Sequence, residues 1–192
     1  LLLALLFDQL DTRIRTPESL IQLTDWSLLA TLRQAKNKDA EDIVNPQNDS
    51  INIEAYRILR ANVGFASVDK PLHTMLVTSA ILGEGKSTVA ANLAIFMAKA
   101  GKSTLLIDAD LRRPTLYEKF RLSGDKMGLS NAIMALAHFQ ATIQQPGYQA
   151  SSFTEPRRMP LDPFMHPVGI PNLFVMPSGP LPPNPSELLD SK

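Results

Sequence analysis

The chain has 192 residues, with 19 basic and 19 acidic side chains, 44% hydrophobic residues and no cysteine. That length holds one domain with a true core plus an appendage. Zero net charge excludes a uniformly basic nucleic-acid binder, and the missing cysteines exclude disulfide frameworks, thiolate metal sites and thiol nucleophiles.

Residues 1–7 (LLLALLF) form an apolar run cut off by Asp8, Asp11, Arg13 and Arg15. The run is far shorter than the ~20 residues of a membrane span. It reads either as a core helix or as the last turns of a membrane helix. No basic stretch precedes it and no cleavage site follows, which argues against a signal peptide. Residues 36–50 are polar and read as a linker. Residues 53–63 predict a helix ended by Gly64, in the left-handed position that follows many helices.

Residues 74–79 (TMLVTS) predict a buried strand. Residues 86–100 predict a helix with Val89, Leu93, Phe96 and Met97 on one face, stopped by Gly101. Residues 104–108 (TLLID) predict a second buried strand. Strand, helix and strand in this order imply a parallel pair joined by a right-handed crossover. Residues 128–138 predict a short helix. Of the 15 prolines, 11 fall between Pro146 and Pro185. Proline breaks helices and cannot donate to a ladder, so this last quarter reads as loop with one strand at 172–176.

The junction between the first strand and its helix carries the chemistry. Gly85-Lys86-Ser87 matches the second half of the pattern G-x-x-x-x-G-K-[ST], with Ala80 in place of the first glycine and an extra glycine at Gly83. Glycines let backbone N–H groups turn inward around a polyphosphate, and the following helix adds the positive end of its dipole. Lys86 is placed to reach phosphate oxygens and Ser87 to offer a hydroxyl to Mg²⁺. The second strand ends in Asp108 and Asp110, and the carboxyl ends of strands line the ligand crevice in parallel α/β folds. Two carboxylates there suit Mg²⁺, its waters or a proton from a hydroxyl; the alternative is a loop pair capping backbone amides.

The motifs TSAILGEGKSTVAANLA, LLIDADLRRP, GLSNAI and NLFVMPSGPLPPNPSELL occur in this order. Together they resemble the cytoplasmic domain of the bacterial tyrosine kinases of capsule and exopolysaccharide synthesis. The resemblance implies an α/β P-loop NTPase, with a parallel sheet flanked by helices, over residues 51–192. It implies ATP and Mg²⁺ as cofactors and tyrosine autophosphorylation as the activity. It assigns Gly83, Glu84, Gly85, Lys86, Ser87 and Thr88 to the Walker A loop. It assigns Asp108 and Asp110 to Mg²⁺ and to activation of the attacking hydroxyl. Glu54, Arg57 and Arg60 match an E-x-x-R-x-x-R helix used for ring assembly. Residues 1–50 are similar to the membrane-proximal tail and linker of a polysaccharide chain-length regulator. The implied setting is the cytoplasmic face of the bacterial membrane, with the inner membrane, the export machinery and further copies of the chain as partners and no nucleic acid.

Some family features are missing. No apolar run ending in aspartate follows PPNPSELL, so the third acidic motif, Walker B, is expected beyond the sequence. The fold is then incomplete at its C-terminus, and the chain alone is expected to transfer phosphate poorly. Ile81 and Leu82 stand where the family carries glycine or proline, and Tyr117 where it often carries histidine. A Par/Min-type positioning ATPase is the rival, and position 81 lacks the lysine that type carries. A nucleotide-binding regulator without kinase chemistry is the third reading. Residues 137–167 read as a long surface loop carrying Arg157, Arg158 and His166. The three histidines, His73, His138 and His166, have no metal-ligand spacing.

Overall fold

Small residues decide where the central helix packs. The computed structural model describes residues 16–24, 26–33, 52–68, 71–124, 126–143 and 159–190. Helices α1 (Pro17–Leu23), α2 (Asn52–Ala66) and α3 (Lys86–Lys99) come first, followed by strand β1 (Thr104–Ile107). On one side of α3, Ala91, Ala94, Ile95 and Ala98 are buried against Leu173 and Val175 of the sheet. The alanines permit a close helix–sheet approach at little cost in side-chain entropy. On the other side, Leu93 and Phe96 pack on Tyr56, Leu59 and Val63 of α2. The Tyr56 and Phe96 rings stack with centroids 5.7 Å apart.

The end of α3 follows the sequence expectation. Gly101 has φ +83°. Its N–H donates to the Ala98 carbonyl, and the Lys102 N–H reaches back to Met97. That pair of bonds is the Schellman closure that glycine makes possible. Gly64 behaves differently: α2 runs through it to Ala66. Propensity against glycine is a weak local term, and burial of Leu59 and Val63 against α3 outweighs it.

The sheet also contains β2 (His166–Pro167) and β3 (Leu173–Met176), in the order β1-β3-β2. β1 and β3 are parallel, with Leu106 opposite Val175; β2 is antiparallel to β3, with His166 opposite Val175. This corrects one expectation. Residues 74–79 form no strand, and β1 takes its parallel partner from residues 173–176 instead. Leu76 is 83% exposed. A strand exists only where a neighbour takes its backbone groups, and among the described residues nothing pairs with 74–79.

Three shorter features complete the frame. Helix α4 (Leu116–Lys119) follows β1, and α5 (Leu129–Ile143) runs five residues past the expected 138. The α5 N-terminus sits directly on the loop after β3, with Leu129 N–H on the Pro177 carbonyl and Ser130 N–H on Ser178. Helix α6 (Pro185–Asp190) stands in what the prolines mark as loop, with Pro185 at its first position, where a missing N–H does no harm. No helix among the described residues is long and apolar enough to cross a membrane. Residues 1–7, the linker 36–50, Arg157 and Arg158 lie outside the described residues.

Segment 26–33 lies along α2. Leu29, Ala30 and Leu32 pack on the cluster shared by α2 and α3. The Asn52 carboxamide both accepts from the Arg33 N–H and donates to the Arg33 carbonyl, at 3.0 and 2.9 Å. Asn62 donates to the Leu29 carbonyl at 2.6 Å.

Candidate nucleotide site

Two glycines in left-handed conformation shape the loop before α3: Gly83 at φ +86° and Gly85 at φ +88°. A Cβ at either would meet nothing within 4 Å, so glycine is required by backbone conformation rather than by space. Gly85 caps α3 without any side-chain hydrogen bond, and Lys86 is the first helical residue. No side chain of the cap residue thus takes the first-turn N–H groups, which face the direction an anion approaches.

An open cleft of about 610 Å³ lies against this loop, with Ser79, Ala80, Ile81, Lys86 and Asp110 among its lining residues. Lys86 Nζ donates to Asp110 Oδ2 at 2.7 Å, joining the start of α3 to the loop after β1. The other Asp110 oxygen accepts from the N–H groups of Arg112 and Arg113. The hydrogen bond from Lys86, with that of Arg113 N–H behind it, holds the Asp110 carboxyl below its ordinary range.

Asp108 is 4% exposed and faces another way. Its Oδ2 accepts from Thr115 and Leu116 N–H, both at 2.9 Å, and its Oδ1 accepts from Asp110 N–H. It therefore holds the loop that returns from the strand and the start of α4, as an N-cap carboxylate does. The two acids are linked through one backbone bond, but only Asp110 meets Lys86. Ser87 and Thr88 lie half-buried in the first turn of α3.

Glu84 makes a contact that the motif does not foretell. Its Oε2 accepts from Ala80 N–H at 2.9 Å and Ile81 N–H at 3.2 Å. A second unforeseen contact joins the helices: Asn92, 1% exposed on α3, donates to the Tyr56 hydroxyl and to the Thr88 carbonyl. Burial raises the Tyr56 phenol, and the bond to Asn92 offsets part of that. An asparagine inside the run VAANLA is the sequence signal for such a link, since a buried amide needs partners.

Glu54, Arg57 and Arg60 lie on α2, outside the cleft lining. Glu54 and Arg57 pair at 3.1 Å with both side chains more than half exposed, an arrangement of little energetic weight. His166 Nε2 lies 2.8 Å from the Met127 carbonyl. No group of three histidine or carboxylate ligands occurs among the described residues.

The chain is similar to known nucleotide-binding and kinase proteins. Residues 76–154 match the CobQ/CobB/MinD/ParA nucleotide binding domain. The chain is 41% identical over 143 residues to the tyrosine-protein kinase YwqD of Bacillus subtilis, an alignment covering 74% of this chain and 51% of that protein. It superposes on the chimerical protein CapA2B2 with a TM-score of 0.69 at 32% identity, covering 92% of this chain and 66% of that one. The kinase domain of Escherichia coli tyrosine kinase ETK gives 0.67 at 26% identity, covering 92% and 64%. The chain spans about half the length of the curated tyrosine-protein kinases YwqD, CapB and CpsD that it matches.

Proposed function

We propose, from the chain's membership of the bacterial tyrosine-kinase family, that it binds ATP with Mg²⁺ in the cleft beside Lys86 and supports transfer of the γ-phosphoryl group to tyrosine hydroxyls of its own kind. The observation that carries this reading is the convergence of Lys86 and Asp110, 2.7 Å apart, beside a glycine-shaped loop at a helix start. Phosphoryl transfer needs mainly positioning and charge neutralisation, and these groups supply both.

In this reading Lys86 exchanges the Asp110 oxygen for phosphate oxygens. Asp110, relieved of Lys86, accepts the proton of the attacking phenol as the new O–P bond forms and the bond to the ADP oxygen breaks. Asp108 fixes the loop that carries Asp110. The Ser87 hydroxyl and an Asp110 oxygen would suit a hard dication that keeps several waters, while Asp108, with its oxygens on backbone N–H groups, braces the loop behind them. Mg²⁺ held by these residues would supply neutralisation of phosphate charge.

The open edge of β1 belongs to the same proposal. Among the described residues β1 pairs with β3 alone, and the apolar run 74–79 takes no ladder partner. A further strand on that edge, the family's apolar run ending in aspartate, would take the backbone groups of β1 and bring a third carboxylate to the cleft. Glu54, Arg57 and Arg60 form the contact face for a second copy of the chain. The membrane-proximal tail links the domain to a chain-length regulator at the cytoplasmic face of the membrane, in control of capsule or exopolysaccharide export.

Phosphotyrosine on the full-length protein tests the reading. Incubation with Mg²⁺ and labelled ATP should label tyrosine in the parent and not in Lys86→Ala. No phosphotyrosine, together with ATP turnover stimulated by a partner, overturns it in favour of a positioning ATPase.

A further inference from the structure

We propose that the phosphate loop carries its own anionic competitors, with Glu84 held on the backbone amides and Asp110 on the lysine that nucleotide phosphates would take, and that Glu84 thereby sets nucleotide affinity. The inference rests on the assignment of the cleft as a nucleotide site and adds a control on its occupancy.

Geometry begins with the glycines. Glu84 lies between Gly83 and Gly85, both left-handed. Two such residues in succession around one side chain double the chain back on itself. The Glu84 carboxylate thus reaches residues four and three positions earlier, where Oε2 accepts from two adjacent N–H groups, those of Ala80 and Ile81. One anionic oxygen on two successive amides is the contact by which backbone loops hold phosphate oxygens. Ala80, Ile81, Lys86 and Asp110 line one cleft. Across it, Asp110 Oδ2 lies on Lys86 Nζ. Backbone amides and lysine, the two kinds of donor a phosphate-binding loop offers, thus each carry a carboxylate oxygen of the chain itself.

An anionic ligand entering this cleft meets donors that are already engaged and must exchange with them. The two carboxylates differ in kind. Asp110 also holds the Arg112 and Arg113 amides, so its removal would disturb the loop as well as the competition. Glu84 is exposed, and among the described residues its hydrogen bonds go to the loop amides alone. It is therefore the residue whose substitution separates the effects. If Glu84 were instead a brace that keeps the loop folded for its ligand, its loss would weaken binding. As a competitor, its loss strengthens binding, so the sign decides.

The test is calorimetric titration of the full-length protein, as parent, Glu84→Gln, Glu84→Ala and Lys86→Ala, with MgADP and with inorganic pyrophosphate. Both Glu84 variants should bind both ligands about three- to tenfold more tightly than the parent, the range expected when exposed charge-assisted hydrogen bonds no longer compete. Glu84→Ala should gain at least as much as Glu84→Gln, because a carboxamide oxygen still accepts but carries no charge. Unchanged or weaker binding in the Glu84 variants, with Lys86→Ala defective, overturns the competitor and leaves the nucleotide site standing. No binding by the parent, or equal affinity in parent and Lys86→Ala, overturns both.

Discussion

Replacing Asp108 by asparagine separates two roles for a buried carboxylate at a strand end. In the structure its oxygens accept three backbone N–H groups, of Asp110, Thr115 and Leu116. Asparagine keeps one acceptor oxygen and turns an NH₂ group toward the remaining donors. The Leu116 N–H bond is buried, while those of Thr115 and Asp110 are half-buried and can recover water in part. One orphaned buried amide costs about 1–3 kcal/mol, and a lost charged cap about 1 kcal/mol more. Asp108→Asn should therefore lower unfolding stability by about 2–4 kcal/mol. With a urea slope of about 2 kcal/mol/M, the unfolding midpoint moves down by about 1–2 M at unchanged slope. Urea unfolding followed by circular dichroism, without nucleotide, reads this directly. A midpoint within about 0.2 M of the parent would refute the capping role and return Asp108 to metal or proton chemistry alone.

Two further expectations concern packing and pH. A Cβ at Gly128 would lie 2.0 Å from the Pro177 carbonyl oxygen, backbone against backbone, whereas one at Gly64 meets nothing within 4 Å. Thermal or urea unfolding should show Gly128→Ala destabilised by more than about 2 kcal/mol and Gly64→Ala stabilised by about 0.5–1 kcal/mol. Asp110 has a folded pKa below its ordinary 3.8. The unfolded chain therefore takes up this proton first, and its contribution, full above about pH 5, is lost as pH falls through the folded value. Stability measured between pH 5 and pH 2 should fall less steeply in Asp110→Asn than in the parent; parallel curves would contradict the pairing with Lys86.

What could be read from the sequence was what local chemistry determines. The start of α3 at Lys86, its end at Gly101 and the strands near 104–107 and 173–176 follow from glycine placement, apolar runs and capping. Pairing could not be read that way. Residues 74–79 have the composition of a strand, yet a ladder depends on which distant segment lies alongside, and β1 takes 173–176. The same limit applies within the site. Position alone puts Asp108 and Asp110 at one strand end. Only the return of residues 115–116 shows that Asp108 faces amides while Asp110 meets Lys86. Glu84 reads as a loop residue until the left-handed turns on either side fold its carboxylate back onto Ala80 and Ile81.

The fastening of segment 26–33 gives the molecule a mechanical grain. Asn52 and Asn62 grip it at points about 15 Å apart along α2, given the rise of a helix. The segment runs antiparallel to α2, since Leu29 meets Asn62 and Arg33 meets Asn52. Tension directed along α2 would load these carboxamide bonds in shear rather than peel them one by one. From α2 the load passes through the Tyr56–Phe96 stack and the Asn92 link to the first turn of α3, where the phosphate loop ends. The N-terminal side of the domain is thus mechanically in series with the cleft.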